Sequence, residues 1–467
     1  MKLKRSISLL AILVCCVCFS HGQWATTNLS MGTVRMGSAI LGNKIYFAGG
    51  IIWQGSNGYE TNKVEIYNME TGEWQLTNLS IARQWPTAIA CGDSIFLAGG
   101  MSADVLPYSR VDIIYNDILW NIHELSVPRF ALSAVNHENL FFFAGGLDLI
   151  QNLAFDVIDI YNRSTGEWSV DHLSIPRGGM GCAVLGDRAF FAGGCGDGNV
   201  SIVYDRVDIY NFTTGTWDIA ALSQARSFIA ATTAGNKVIF AGGSLGMGIA
   251  SDVVDIYDSE TDSWSTATIS IPRGFWSNQA VTINDKAYFV GNGVFNFGWD
   301  TDTDTIDVYD PVADEWSIMT MPNRLNDHAV VATDSSMLIA GGWTYTSYPN
   351  GDPRSEVEIW VDPATGIHDV GGQQPVTCPE CAARRIICYP NPTGGIVDFR
   401  FTIDDLRFTT LKVFNAQGQE VATLMDEMCY GEKVIRWDMG TLPAGVYFYQ
   451  LRAEGLGQVG MGKIVKY

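Results

Sequence analysis

Residues 173–194 read LSIPRGGMGCAVLGDRAFFAGG, and residues 207–222 read VDIYNFTTGTWDIAAL. The first stretch contains two short apolar segments separated by a Gly-Asp pair, which is typical of a tight turn. The second stretch alternates apolar and polar residues, and a Thr-Thr-Gly turn then leads to Trp217. Together they predict a four-stranded antiparallel meander, which is too small to bury both of its faces alone.

The same pattern recurs along most of the chain. Each copy is marked by a Gly-Gly pair, or a near copy of it, after an apolar run, and successive pairs are 46 to 50 residues apart. The seven pairs are Gly49-Gly50, Gly99-Gly100, Gly145-Gly146, Gly193-Gly194, Gly242-Gly243, Gly291-Asn292 and Gly341-Gly342. A repeat of this period indicates a propeller or a solenoid. We expect functional residues where the copies differ, because the shared positions mostly build the scaffold.

The copies resemble the kelch repeat, in which Gly-Gly follows an apolar strand and a Tyr and a Trp come later at regular spacing. The Tyr positions are Tyr67, Tyr115, Tyr161, Tyr210, Tyr257 and Tyr309, with Trp360 in the last copy. The Trp positions are Trp74, Trp120, Trp168, Trp217, Trp264 and Trp316. The resemblance covers roughly residues 24–370 and implies an all-β fold, a seven-bladed kelch-type β-propeller.

The two ends of the repeat region differ from the other copies. The last copy has Ile367 at the Trp position, so its fourth strand is degenerate, while Trp24 precedes the first inner strand without a partner of its own. We expect residues 23–30 to complete the last blade. Closing the ring in this way would remove an exposed sheet edge.

Polar residues also recur. An Arg precedes each inner strand, and an acidic residue precedes each Tyr position. These residues are Arg35, Arg83, Arg129, Arg177, Arg226, Arg273 and Arg324, with Glu65, Asp112, Asp159, Asp208, Asp255, Asp307 and Glu358. A catalytic group is needed once, so repetition favours ion pairs that fix blade geometry.

The segments after each Gly-Gly pair and after each Arg differ between copies and are rich in aromatic residues. In an up-and-down blade both emerge on the same face, and loops on a rigid scaffold commonly carry function. The candidate ligand-binding residues are Trp53, Trp85, Phe130, Phe228, Phe275, Trp276, Trp299 and Trp343. An exposed aromatic face is typical of protein or carbohydrate contact. The alternative, that single rings pack in the channel or between blades, stays open.

Alternating carboxylates in the sixth copy, Asp300, Asp302 and Asp304, offer hard oxygen ligands for a surface calcium ion, or form a solvated acidic loop. An EF-hand is excluded, because Thr305 stands where it needs Gly and Pro311 where it needs Glu. No other cofactor is expected.

The ends of the chain indicate export. Residues 1–22 combine basic residues, a short apolar stretch and small residues before the cleavage site, which predicts a signal peptide. The propeller is predicted over residues 23–370 and a linker over 371–387. Short alternating strands with Gly turns predict a small Ig-like β-sandwich over residues 388–467.

This last segment resembles the C-terminal sorting domain of type IX secretion cargo from Bacteroidetes. The resemblance rests on a YPNP opening at 389–392, VFNAQGQEV at 413–421, LPAGVYFYQL at 442–451 and a basic final strand. It implies the type IX machinery as a partner, removal of the tail, and a secreted or outer-surface location.

Charge and length exclude other classes. The net charge of −21 and the lack of a Lys/Arg-rich patch argue against nucleic acid as a partner. No run after the signal is long and apolar enough to predict a transmembrane segment.

Function is predicted as a non-catalytic module that binds a protein or a glycan. The alternative is a carbohydrate-active enzyme, since some kelch propellers are sialic-acid mutarotases, which need only acid–base groups in the propeller mouth. Copper oxidases of this class need clustered His ligands, whereas the six His of this chain are scattered.

Overall fold

A computed structural model describes residues 24–54, 57–247, 249–274, 279–291, 294–296, 299–301, 303–347, 350–362, 386–389, 395–415, 419–453 and 457–466. The chain divides into two compact units, residues 1–371 and 372–467. In the described part of both units, all regular elements are β-strands.

The first strands of unit one are β1 (Trp24–Asn28), β2 (Thr33–Val34), β3 (Gly37–Leu41), β4 (Lys44–Ala48), β5 (Ile51–Gln54), β6 (Asn57–Glu60), β7 (Lys63–Asn68), β8 (Trp74–Asn78), β9 (Thr87–Cys91), β10 (Ser94–Ala98), β11 (Arg110–Tyr115), β12 (Ile118–Glu124), β13 (Ser133–His137), β14 (Leu140–Ala144), β15 (Leu147–Asp148), β16 (Leu153–Ala154), β17 (Val157–Asn162) and β18 (Glu167–His172). They are followed by β19 (Gly181–Leu185), β20 (Arg188–Ala192), β21 (Arg206–Asn211), β22 (Thr216–Ala221), β23 (Ala230–Ala234), β24 (Lys237–Ala241), β25 (Ser251–Asp258), β26 (Ser263–Arg273), β27 (Gln279–Ile283), β28 (Lys286–Val290), β29 (Val294–Asn296), β30 (Trp299–Thr301), β31 (Thr303–Asp310), β32 (Glu315–Leu325), β33 (Ala329–Ala332), β34 (Ser336–Ala340), β35 (Trp343–Ser347), β36 (Asn350–Pro353) and β37 (Glu356–Val361).

Each copy of the repeat forms one four-stranded antiparallel sheet in the described residues. The sheets of copies one to six are β3-β4-β7-β8, β9-β10-β11-β12, β13-β14-β17-β18, β19-β20-β21-β22, β23-β24-β25-β26 and β27-β28-β31-β32. The inner strand of each sheet contacts the inner strand of the next, and β33 of the last sheet contacts β3 of the first. The sheets therefore close into a ring, and the β-propeller prediction is confirmed.

The ring closes through strand exchange between the two ends of unit one. The last sheet has the order β1-β37-β34-β33, so the first strand of the chain occupies the outer position. Trp24 lies directly opposite Trp360, just as Trp74 lies opposite Tyr67 in copy one. The predicted role of residues 23–30 is thereby confirmed, and Trp24 supplies the Trp that the last copy lacks.

The Gly-Gly pair is required by close approach between neighbouring sheets. Gly145 has a φ of +63°, and a Cβ there would lie 2.2 Å from the carbonyl oxygen of Arg177. The next residue, Gly146, donates its N–H to that same carbonyl at 3.1 Å. The pair thus joins one sheet to the segment that leads into the next, where a side chain would clash.

The recurring Arg and acid are buried ion pairs in five copies. Arg177 Nη2 lies 2.6 Å from Asp208 Oδ2, and the Arg129–Asp159 and Arg83–Asp112 pairs are both 2.7 Å apart. Arg226–Asp255 and Arg273–Asp307 repeat the contact. Burial lowers the pKa of all five guanidinium groups, and the attraction of the paired carboxylate opposes this. The predicted structural role is confirmed for these five.

Arg35 and Arg324 do not take this position, although the sequence aligns them with the other five. In copy one this position is occupied by Thr33. The Thr33 carbonyl accepts a hydrogen bond from the N–H of Gly342, just as the Arg177 carbonyl accepts one from the N–H of Gly146. In copy seven the position is occupied by Leu325, which pairs with Thr303 in the same register in which Arg273 pairs with Ser251. Both copies also carry Glu in place of Asp, and in copy seven burial raises the pKa of Glu358.

Aromatic residues pack the blades. The Tyr and Trp of copies one, three, four, five and six lie directly opposite each other on the outer strand pair, with ring centroids 4.9–5.3 Å apart. Copy two differs, because its ladder shifts after Ile113 and places Ile118 opposite Tyr115.

Unit two consists of β38 (Ile386–Tyr389), β39 (Ile396–Asn415), β40 (Glu420–Asp438), β41 (Gly445–Ala453) and β42 (Gly457–Lys466). The long β39–β40 ladder shifts between Ile403 and Arg407. Phe399 lies before this shift, whereas Tyr449 pairs with Val413, which lies after it. The rings of Phe399 and Tyr449 contact each other edge to face, with centroids 5.1 Å apart. The two halves of β39 therefore face each other across one apolar core, as in a β-sandwich.

Candidate functional site

The variable segments of the propeller lie on one face. The residue after the repeated Arg pairs with the residue after the Gly-Gly pair, as in Phe130 with Leu147, Gly178 with Cys195, and Ser227 with Ser244. We call the face formed by these inter-sheet connections, and by the loops between second and third strands, the loop face. The tight turns between the other strands emerge on the opposite face.

A ring of residues with left-handed backbone surrounds the channel mouth on the loop face. These residues, here called the collar, have φ values of 50° to 62° and are Arg35, Trp85, Ala131, Gly179, Phe228 and Asp327. Neighbours are joined by backbone hydrogen bonds, such as Trp85 N to Arg35 O at 2.9 Å and Phe228 N to Gly179 O at 2.6 Å. Positive φ is costly for a bulky residue. The contacts between neighbouring sheets impose it here.

Three predicted site residues meet at a cavity in the collar. Trp85, Phe130 and Phe228 line a cavity of about 220 Å³ together with residues from four neighbouring inter-sheet connections. The Phe130 and Phe228 rings are 1% and 8% exposed, while Trp85 is half-buried and stacks on Phe130 with centroids 6.3 Å apart. Gly179 makes room, because a Cβ there would lie 2.7 Å from the Phe228 ring.

The cavity wall combines mostly apolar side chains with polar groups. Its remaining lining residues are Pro86, Thr87, Ala131, Leu132, Ser133, Gly179, Met180 and Ile229, none of which is charged. Both hydroxyl groups donate within the protein, Thr87 to the carbonyl of Leu132 at 3.1 Å and Ser133 to that of Met180 at 2.9 Å. The wall therefore offers apolar contacts beside polar groups, and none of its side chains carries a charge.

The other side of the collar is charged. Arg35 Nε donates to Asp327 Oδ2 at 3.0 Å, and Arg35 Nη1 donates to Gln84 Oε1 at 3.0 Å. The Arg35 guanidinium also lies over the Trp85 ring, 4.3 Å from its centroid, in a cation–π contact. These contacts hold the Trp85 ring at the border between the charged side and the cavity.

Sequence reasoning missed the position of Arg35, although a signal was present. Arg177 stands four residues before its inner strand, and so do Arg83, Arg129 and Arg226, whereas Arg35 stands two residues before β3. This shorter spacing distinguishes a collar residue from a buried ion-pair residue.

His328 follows the collar residue Asp327 and has a distinct environment. It is 2% exposed, and among the described residues neither ring nitrogen has a hydrogen-bond partner. Burial lowers the pKa of His328 from 6.5 to about 4. The Arg273 charge lowers this pKa further, whereas the Asp327 carboxylate raises it. The residues at the same place in copies one and four are Met36 and Met180.

Replacing His328 by Met should therefore reduce the acid sensitivity of the fold. The folded-state pKa lies below the unfolded one, so the wild-type protein should lose stability as the pH falls from about 6.5 towards 4, by up to about 3 kcal/mol. The unfolding free energy of H328M, measured with denaturant between pH 7 and pH 4, should lack this component. An equal pH dependence in both proteins would contradict the assignment, and Met36→Leu is a control of matched position.

The other predicted site residues are distributed as follows. Trp53 and Trp343, on adjacent loops of the first and last sheets, contact each other edge-on with centroids 5.0 Å apart. Phe275, Trp276 and Asp302 lie outside the described residues, as do the side chains of Trp299 and Asp300. Asp304 Oδ2 lies 3.8 Å from Arg324 Nε. Among the described residues, no group of three or more His, Cys, Asp or Glu side chains could hold a metal ion. The calcium site stays a prediction.

Two parts of the chain match known family models. The kelch motif model matches residues 32–76 and 225–268, and the model of a secretion system C-terminal sorting domain matches residues 387–466. The solved structure titled "Structure of YjhT" aligns with a TM-score of 0.46 at 14% identity, over 63% of this chain and 99% of that one. No curated protein matches the sequence.

The motif matches and the closed ring of sheets define a kelch-type β-propeller. The chain contains kelch motifs and a secretion system C-terminal sorting domain, and this domain indicates that the protein is secreted or displayed at the cell surface. In the part of the chain that the structure describes, no helix has the length and apolar character to cross a membrane.

Proposed function

We propose that this secreted or surface-displayed propeller is a non-catalytic module that binds a protein or a glycan at its loop face. The observation that carries the proposal is the cavity of the collar, which the aromatic side chains of Trp85, Phe130 and Phe228 line. Aromatic side chains in a preformed pocket are typical anchors of binding energy. The collar is held rigidly by its backbone hydrogen bonds, which favours a preorganised site.

Binding is favoured over the mutarotase alternative by the chemistry of the lining. Acid–base catalysis needs a titratable group within reach of the substrate. The described cavity lining contains no titratable side chain, and on the charged side of the collar the Asp327 carboxylate accepts a hydrogen bond from Arg35. These features support a site that holds a ligand without transforming it.

The test is ligand capture by the intact protein and by a Trp85→Ala, Phe228→Ala double variant. The backbone accepts alanine at both positions, because Ala131 occupies the equivalent collar position in copy three with a φ of 51°, and the fold of the variant is checked by circular dichroism since Phe228 is buried. Glycan arrays and extracellular protein fractions should identify ligands whose affinity falls at least about tenfold in the variant.

A Val312→Ala, Ile318→Ala double variant is the control, because both side chains are exposed outside the loop face. Ligands retained equally by both double variants would argue against a site at the channel mouth.

A further inference from the structure

Aliphatic side chains that the sequence analysis did not single out project from the loop face. Six of them, here called the aliphatic patch, are 45–68% exposed: Leu106, Ile150, Leu153, Ile202, Met247 and Ile249. All six belong to loops between the second and third strands of four consecutive sheets, copies two to five. Large apolar side chains concentrated on such loops mark an interaction surface rather than ordinary surface variation.

The patch stands on a joined platform rather than on independent loops. Beneath it, Met101, Leu147, Cys195 and Val200 pack in one apolar cluster with Phe130 and Phe228 of the collar. Adjacent loops are also hydrogen-bonded, since Asn199 N–H donates to Asn152 Oδ1 at 3.1 Å and Met247 N–H donates to the carbonyl of Val200 at 3.1 Å. The loops that carry the aliphatic patch therefore share one apolar cluster with two residues of the aromatic cavity.

The charge of these loops has one sign. Segments 101–109, 147–156, 195–205 and 244–252 contain six Asp residues and no Lys or Arg. Asp148 and Asp197 are buried and shape their own loops, for example through Asp197 Oδ1 accepting the N–H of Ser201 at 2.9 Å. Asp104 and Asp205 are exposed and Asp156 and Asp252 are partly exposed, so these loops add negative charge to the loop face.

We infer that the loop face docks a protein segment that carries aliphatic side chains among Lys and Arg residues. This inference rests on the proposed function and names its partner class. The patch matches apolar side chains, and its carboxylates complement cationic ones, which gives both affinity and selection of partners.

The same chemistry disfavours two other occupants. Leu, Ile and Met offer neither the flat faces on which sugar rings stack nor polar groups that bind their hydroxyls. An anionic lipid surface would be repelled by the carboxylates of these loops.

Synthetic peptides of about 20 residues provide the probes, a length typical of amphipathic segments that dock in grooves. The first peptide has Leu on one face of a helix and Lys on the other. The second has Glu in place of Lys, and the third has Ser in place of Leu. Anisotropy titrations with the full chain should show that the first binds at least about tenfold more tightly than the others, and less tightly as salt rises.

Variants locate the site. Leu106→Ser, Ile202→Ser and Met247→Ser combined should weaken the Leu/Lys peptide at least about tenfold, whereas Ile219→Ser, Val312→Ser and Ile318→Ser combined should not. The second set is equally exposed but lies on outer strands and on a turn of the opposite face. Asp104→Asn, Asp205→Asn and Asp252→Asn combined should reduce the salt dependence.

Equal binding of the Lys and Glu peptides, equal effects of the two Ser sets, or no binding of any peptide would overturn the inference. If the inference fails while capture of a ligand still depends on Trp85 and Phe228, the proposed function stands. If that capture fails as well, both fail.

Discussion

Deleting residues 24–28 should abolish cooperative unfolding of the propeller. The deletion removes the outer strand β1, which pairs with β37 over five residues from Trp24–Trp360 to Asn28–Glu356. It would expose a sheet edge and open the apolar cluster in which Trp24 packs beside Trp360 and Tyr288. Since a domain is stable by only about 5–15 kcal/mol, loss of a whole strand should remove most of that stability.

Thermal unfolding followed by circular dichroism and calorimetry measures this effect. A chain that starts at residue 23 is the control, and a synthetic peptide of residues 23–30 added in excess should restore part of the transition. An unchanged melting temperature in the deletion variant would show that the ring does not depend on strand exchange.

Arg177→Met should destabilise the protein by about 3–5 kcal/mol, because it leaves Asp208 buried without its counter-charge. Replacing both partners, Arg177→Met with Asp208→Leu, should recover a large part of this loss, since no uncompensated charge then remains. Denaturant unfolding at pH 7 provides the free energies.

Arg324→Met is the matched control for this substitution. Arg324 aligns with the repeated Arg in the sequence, but its side chain is 70% exposed, so its replacement should change the unfolding free energy by less than about 0.5 kcal/mol. Equal effects of Arg177→Met and Arg324→Met would contradict the assignment of the five buried pairs.

The sequence specified the scaffold because the scaffold is repeated. Six Gly-Gly pairs and one near copy at a regular spacing indicated the ring, and the unmatched Trp24 indicated its closure. Each signal was local in the chain and was reinforced by several copies. The ion-pair role of Arg177 could be inferred for the same reason.

The candidate site was harder to predict, because it depends on where copies differ and on tertiary geometry. Contacts between sheets impose the left-handed backbone of Trp85 and Phe228, and the conformational preferences of Trp and Phe do not predict it. That geometry turns Phe228 into a cavity wall, whereas the aliphatic residues Leu106 and Met247 remain exposed. From residue type alone, the aromatic side chains were expected to form the accessible surface, and the aliphatic ones were not.

The central claim, that the propeller binds its ligand at the channel mouth, is tested most directly by one ratio. This is the dissociation constant of the captured ligand for the Trp85→Ala, Phe228→Ala variant divided by that for the intact protein. A ratio of at least about ten is expected, with a ratio near one for the Val312→Ala, Ile318→Ala control. A ratio near one for both variants, with both proteins folded, would contradict the claim.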